Sequence, residues 1–342
     1  MRLFCSNYIL PFLIFLFSTQ SFANYIKTIC LETDSSDTNS SISVTKNLFP
    51  YTGESVCKYQ NLKYKSKGNV VNDKKDGAWT YWHVDGYKEK EVNYKTGNLD
   101  GKSIWWYNNG QKKNKRNYIG SIKHGNWISW FKNGQLELSE NFKYGIKHGA
   151  WISWFKNGQI QSESFFKDGK KEGAWKGWYP NGQIQSESFF KDGKKNGTWS
   201  YWDNDYKKSE FNFRNNDMDG KWTNWLSKGK KLSEIHFNEN KLDGKSTWWY
   251  DDGQIKLEAY YKDNKMDGKW SLWHKNGQLK ETRNYIYGIR DGNFFEWHEN
   301  GVKHFQGHYT DGKLDINWIE WNENGEQKWY LFEACFFNSR NC

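Results

Sequence analysis

The groups in this chain able to do chemistry are few, and their spacing decides what they can do. His298, His304 and His308 fall within one predicted hairpin and could converge on a metal ion, imidazole being a common zinc ligand. Histidine here, however, takes positions that rings fill elsewhere. His83, His274 and His298 stand where Phe131, Phe155 and Tyr179 stand in other copies of the repeat described below, and His236 and His308 where Phe165 and Phe189 stand. Slot-filling is therefore the better reading. Glu91, Glu163, Glu187, Glu234 and Glu258 recur at one repeat position, as solvated strand residues do, and form no acid–base pair confined to one place. There is no phosphate-binding glycine loop, no Gly-x-Ser-x-Gly elbow and no His-Glu-x-x-His. The sequence reads as a non-enzyme, with no cofactor and no metal site.

The cysteines depend on the compartment. Arg2, an apolar run over 9–17 broken only by Pro11, and Ser21-Phe22-Ala23 have the pattern of a secretory leader with cleavage after Ala23. The expectation is an exported protein: periplasmic, on the outer surface, or secreted. No later segment is apolar enough to span a bilayer. Cys5 leaves with the leader, and Cys30, Cys57, Cys335 and Cys342 remain. An even number in an oxidising compartment favours disulfides, and the economical pairing is Cys30 with Cys57 and Cys335 with Cys342, one staple at each end.

The elements that position these groups come from repetition. WISWFKNGQ occurs at 127–135 and again at 151–159, and NGQIQSESFFKDGKK at 157–171 and 181–195, each pair 24 residues apart. Counting from Gly77, equivalent starts are Gly101, Gly125, Gly149, Gly173, Gly197, Gly220, Gly244, Gly268, Gly292 and Ile316, with one step of 23 at Gly220. Gly53 opens a degenerate unit. In the unit at Gly149, as in most others, a short strand runs into an Asn-Gly turn, read as a hairpin whose two central residues both take positive φ, and a return strand ends in a second turn carrying Gly or Asn. The chain holds 22 Trp, 21 Tyr and 22 Phe, which removes disorder as the explanation of a mean hydropathy of −1.03.

Stepping by 12 from Trp82, with one step of 11 between Trp202 and Phe213, gives a series in which Trp alternates with Tyr or Phe as far as Trp321. The series predicts a ring ladder with one member per strand at a common height. A looser row lies three residues before most of its tryptophans, at Trp79, Trp127, Trp151, Trp175, Trp199, Trp222, Trp270 and Trp318, with Ser103, Ser246 and Phe294 in the remaining units. Its odd offset sends it to the opposite face, where it is either structural cover or the candidate binding surface.

The expected fold is all-β: an elongated open array of about eleven 24-residue β-hairpin repeats, a single-layer meander with capped ends, on the order of 100 Å long. The domains are a signal peptide at 1–23, an N-terminal cap with the degenerate repeat at 24–72, the array at 73–328 and a C-terminal cap at 329–342. Units such as DGKWSLWHKNGQLKETRNYIYG (267–288) and EGAWKGWYPNGQIQSESFFKDG (172–193) resemble the bacterial variant of the MORN repeat, which also occurs in proteins labelled YwqK-type antitoxins. The resemblance implies a membrane- or protein-binding scaffold.

Loss of Arg2 with the leader lowers the net charge from +10 to +9, and many lysines fall in turns, among them Lys170, Lys171, Lys194, Lys195, Lys230 and Lys231. The functional expectation is an exported scaffold for a protein or for an anionic lipid or polysaccharide surface, with no nucleic-acid partner. The alternative is carbohydrate binding, to cell wall or polysaccharide, through exposed aromatic rows.

Overall fold

The computed structural model describes residues 28–30, 50–227 and 229–328. The leader, the segment 329–342 and the Cys335–Cys342 pairing lie outside them. The described residues contain strands and turns and no helix. By internal contacts the chain divides into a first unit, up to 125 with 132–134, and a second, 126–131 with the residues from 135 onward.

The second unit shows the repeat most plainly. Gly149–Trp154 pairs antiparallel with Ile160–Lys167, Gly173–Trp178 with Ile184–Lys191, and Gly197–Asp203 with Tyr206–Arg214. Each hairpin is followed by a two-residue turn and a two-residue strand that folds back, as Lys170–Lys171 does on Phe166 and Lys167. In those turns between repeats both central residues take positive φ, 47° and 81° at Asp168 and Gly169, 51° and 83° at Asp192 and Gly193. They are the mirror-image turns that match strand twist.

The Asn-Gly turns are different from the expectation. Gly158 and Gly182 have positive φ, 87° and 85°, whereas the asparagines before them do not. The Gly182 N–H donates to the Tyr179 carbonyl and the Tyr179 N–H to the Gln183 carbonyl, both at 2.8 Å. This is a type I turn followed by a left-handed glycine, the three-residue hairpin loop. Asparagine is favoured because its Oδ1 accepts the N–H two residues on, at 3.1 Å for Asn157 and Gln159. At the shortened repeat the loop becomes a two-residue turn, Asp203 facing Tyr206, so the deletion is absorbed without disturbing the strands.

A register shift accompanies every such loop. Ser153 faces Ser162, but Trp154 faces Ile160, so Gln161 is an extra residue on the return strand. Successive repeats are then tied by polar bonds: Tyr179 Oη donates to the Trp202 carbonyl at 2.9 Å, Asn157 Nδ2 to the Pro180 carbonyl at 2.8 Å, and Glu172 accepts the Asp192 N–H at 2.8 Å. Each repeat thus supplies the partners that its neighbour's turn and ring need, as a stacked array requires.

In the first unit, Gly53–Lys58 and Tyr64–Val71 form a hairpin with the same shift, between Cys57 and Lys58. Thr28–Ile29 pairs parallel to Glu54 and Ser55, and Cys30 is bonded to Cys57 with Cα atoms 4.8 Å apart. The buried cluster is Val70, Trp79, Tyr81 and Val92, with Trp79 fully buried. Gly68 is required by close approach, since a Cβ there would lie 2.4 Å from the Trp79 ring.

Candidate functional site

The register divides the predicted aromatic ladder in two. Trp151, Ser153, Ser162, Ser164 and Phe166 share one face of the second unit, and Trp154 lies on the other. The extra residue in the return strand and the glycine in the loop change the parity between Trp154 and Phe166, so a constant step of 12 does not keep one face. The rings that meet are the looser tryptophan row and the Phe members of the 12-step series. Phe142 and Trp151 are 5.3 Å apart between centroids, Trp151 and Phe166 5.2 Å, Phe166 and Trp175 5.2 Å, Trp175 and Phe190 5.1 Å, Phe190 and Trp199 5.1 Å, Trp199 and Phe213 5.2 Å. Tilted and edge-on geometries recur along the row, as ring quadrupoles prefer.

Of the eight tryptophans considered as a binding row, Trp79 and Trp127 are buried and the other six are half-buried. Trp151, Trp175 and Trp199 donate their indole N–H to the carbonyl ten residues earlier, at 3.1, 3.3 and 3.0 Å, as Trp79 does to Asn69 in the first unit at 2.9 Å. Trp222 packs on Phe211 at 4.6 Å, and its Nε1 is buried with no partner. Farther along, Arg283 covers Trp270 at 5.0 Å, and Trp318 stacks on Phe305 at 5.3 Å.

Sequence reasoning missed the lysines on this face. Lys147 Nζ stands 4.1 Å from the centre of Trp151 and 4.9 Å from that of Phe166; Lys171 is 4.2 Å from Trp175 and 4.6 Å from Phe190; Lys195 is 4.7 Å from Trp199 and 4.9 Å from Phe213. In the first unit Lys75 covers Trp79 at 4.4 Å. The signal that could have found them is pairing parity: in each Lys-Lys turn the second lysine faces the ring, as Lys171 faces Phe166. None of Lys147, Lys171 and Lys195 is in an ion pair with any described residue. From Lys147 to Lys195 the same face carries Ser153, Ser162, Ser164, Gly177, Ser186 and Ser188 and no carboxylate.

The opposite face is balanced. Lys176 pairs with Glu187 at 3.1 Å, Lys207 with Glu210, Lys221 and Lys231 with Glu234 at 3.1 and 2.6 Å, and Lys245 with Glu258 at 2.5 Å. Burial pushes the Glu234 carboxyl up, but the bonds from Lys231 and Lys221 outweigh it and hold it below the usual carboxylate range. The 12-step tryptophans lie on this side, with Lys207 5.4 Å from Trp202 and Lys231 5.5 Å from Trp249. Of the recurring glutamates, Glu91, Glu187, Glu234 and Glu258 are thus ion-pair partners in the strands.

The histidines have a physical reason for their slots. His274 and His298 place Nε2 3.1 and 3.0 Å from the Trp297 and Trp321 carbonyls, where Tyr250 donates Oη to Trp273 at 2.7 Å. A carbonyl only accepts, so Nε2 carries the proton in both rings. His298 and His304 are 4.4 Å apart between rings, His304 lies between Glu296 and Glu320 at 3.1 and 3.8 Å, and His308 turns to Asp315 at 3.0 Å. Among the described residues no group of three or more His, Cys, Asp or Glu is placed to hold a metal. Nor is any helix there long and apolar enough to cross a membrane.

The MORN repeat variant family matches this chain seven times, at 99–119, 123–144, 147–168, 171–192, 242–263, 266–287 and 290–311. The chain is a MORN-variant repeat protein. The interval 193–241, without a match, contains the shortened repeat, and the hairpins continue through it. MORN repeats generally serve as binding repeats and not as catalytic ones. No curated protein matches the chain. Among solved structures, the crystal structure of TcdB2-TccC3-Cdc42 is matched at 8% identity over 77% of this chain with a TM-score of 0.18. This chain spans 20% of the length of that one, and a likeness at that score is no guide to fold or function.

Proposed function

We propose that this MORN-variant protein is an exported, non-catalytic scaffold that binds an anionic envelope surface, or the acidic surface of a protein, through the face holding Lys147, Lys171 and Lys195. The observation that carries this reading is the asymmetry of charge. On one face Glu187, Glu234 and Glu258 have lysine partners, while on the other Lys147, Lys171 and Lys195 stand over rings and are in no ion pair with any described residue. Glu140, beside Trp151, is the one carboxylate on the described part of that face from Leu136 to Arg214. An ammonium over an exposed ring gains only about 0.5–1 kcal/mol. Charge left over after that stabilisation is available to a ligand. The lysines recur every two strands, about 10 Å apart at ~4.8 Å per strand, which suits an extended anionic partner.

Export is supported by the leader pattern and by the bond between Cys30 and Cys57, since disulfides persist in oxidising compartments. A nucleic-acid partner does not suit that compartment. The test is a triple variant, K147Q/K171Q/K195Q, assayed on vesicles with and without anionic lipid and on a soluble anionic polymer. The expected result is loss of binding to anionic probes with thermal unfolding shifted by a few degrees, because each lysine contributes little to folding. Unchanged binding would remove this face from the function.

A further inference from the structure

One place on the ring face departs from its neighbours, at the shortened repeat. Tyr201 stands where the two preceding repeats have Ser153 and Gly177, and Phe211 where they have Ser164 and Ser188. The replacements line a shallow, open depression of about 210 Å³, formed with Lys195, Trp199, Phe213 and Trp222. Tyr201 and Phe211 meet at 5.9 Å and Phe211 and Trp222 at 4.6 Å, so the walls are ring faces and edges. The volume is below that of pockets for drug-sized ligands and suits a single ring.

Each of its polar groups can donate a hydrogen bond, and Lys195 Nζ and Trp222 Nε1 can only donate. Lys195 Nζ has no carboxylate partner, Tyr201 Oη has no hydrogen bond to any described residue, and Trp222 Nε1 is buried without one. Burial pushes the Tyr201 phenol above its ordinary value, so it remains a donor across physiological pH. A ligand for this place must bring acceptors and negative charge at its edge and an apolar, weakly positive face for the rings. The C–H face of a pyranose meets the negative face of an aromatic ring in that way, and a sugar carboxylate supplies the charge for Lys195.

We propose that this depression is the anchoring subsite for a uronate ring of an acidic polysaccharide, whose chain continues over Ser188, Ser186 and Lys171 toward Lys147. The subsite rests on the anionic-ligand reading above and names its chemistry. Both unusual side chains can be returned to what other repeats carry, so the variants Y201S and F211S keep a residue that the fold already accepts at these positions. K195Q removes the charge alone.

The experiment measures binding of an oligogalacturonate, a neutral galacto-oligosaccharide of equal length, and anionic phospholipid vesicles to the mature chain and its variants. The wild-type protein is expected to bind the oligogalacturonate more tightly than the neutral oligosaccharide. F211S and Y201S are each expected to weaken it about tenfold, the loss of one stacking partner, with the unfolding temperature little changed. K195Q is expected to reduce the preference for the charged sugar, leaving the part carried by Lys171 and Lys147. Equal binding of charged and neutral sugars, or full affinity in F211S and Y201S, overturns the subsite. Binding of anionic vesicles but not of oligogalacturonate, with dependence on Lys147 and Lys171, overturns the subsite and leaves the anionic-scaffold reading standing. Binding to no anionic probe overturns both.

Discussion

Excision of residues 149–172 is expected to leave a folded protein, whereas excision of 149–160 abolishes folding. The longer deletion joins His148 to Gly173 and removes one whole repeat. Phe142 then meets Trp175 in place of Trp151, and the contact it inherits is nearly the one it loses: 5.3 Å at 65° for Phe142 with Trp151, 5.2 Å at 67° for Phe166 with Trp175. His148 replaces Glu172 in facing the next turn, a part it already plays toward Asp168. What is lost is one repeat and one interface, a modest fraction of an approximately additive total. The shorter deletion removes one strand and its loop, so every later strand must reverse its direction or its face. Circular dichroism and denaturant titration distinguish the outcomes. An unfolded 24-residue deletion, or a folded 12-residue one, would contradict nearest-neighbour packing.

Trp79→Ala is expected to destabilise the first unit by about 3–5 kcal/mol, the range for emptying the place of a buried Trp or Phe. The indole is fully buried, bonds the Asn69 carbonyl at 2.9 Å, and packs edge-on to Tyr94 at 6.4 Å. The Gly68 backbone lies so close to it that no larger side chain fits there. Relaxation to fill the cavity is therefore limited, and Lys75 also loses its ring. Denaturant unfolding that shows less than about 1 kcal/mol of loss would mean that Trp79 lies in a site able to collapse, at odds with its burial.

The fold was largely legible because its period is written in residues with few conformational choices. Gly169 and Gly193 take positive φ in turns that demand it, and the spacing of such residues locates every hairpin. The ladder was misread for an equally physical reason. An extra residue opposite Trp154 leaves no mark in composition, yet it decides which face Phe166 shares. Pro180 was the available cue, since proline favours the second position of a type I turn and so argues for the longer, bulged loop. The lysines on the ring face were read only as turn residues, because Lys170 and Lys171 look alike in sequence and differ only in the side to which the strand sends them. The depression at Tyr201 and Phe211 lies in the shortened repeat, which the step of 23 marks, but what that repeat adds is two rings in place of serine and glycine.

The most direct test of the central claim, that anion binding is distributed over repeated lysines on the ring face, is the salt dependence of binding to one anionic polymer. It is measured for the wild-type chain, K147Q, K147Q/K171Q and K147Q/K171Q/K195Q. Each lysine that neutralises an anionic group releases about one counterion. The logarithm of affinity against the logarithm of salt concentration should therefore lose about one unit of slope at each step, with no single substitution accounting for the whole loss. A slope unchanged through the series, or one that collapses entirely at the first substitution, would contradict a distributed face.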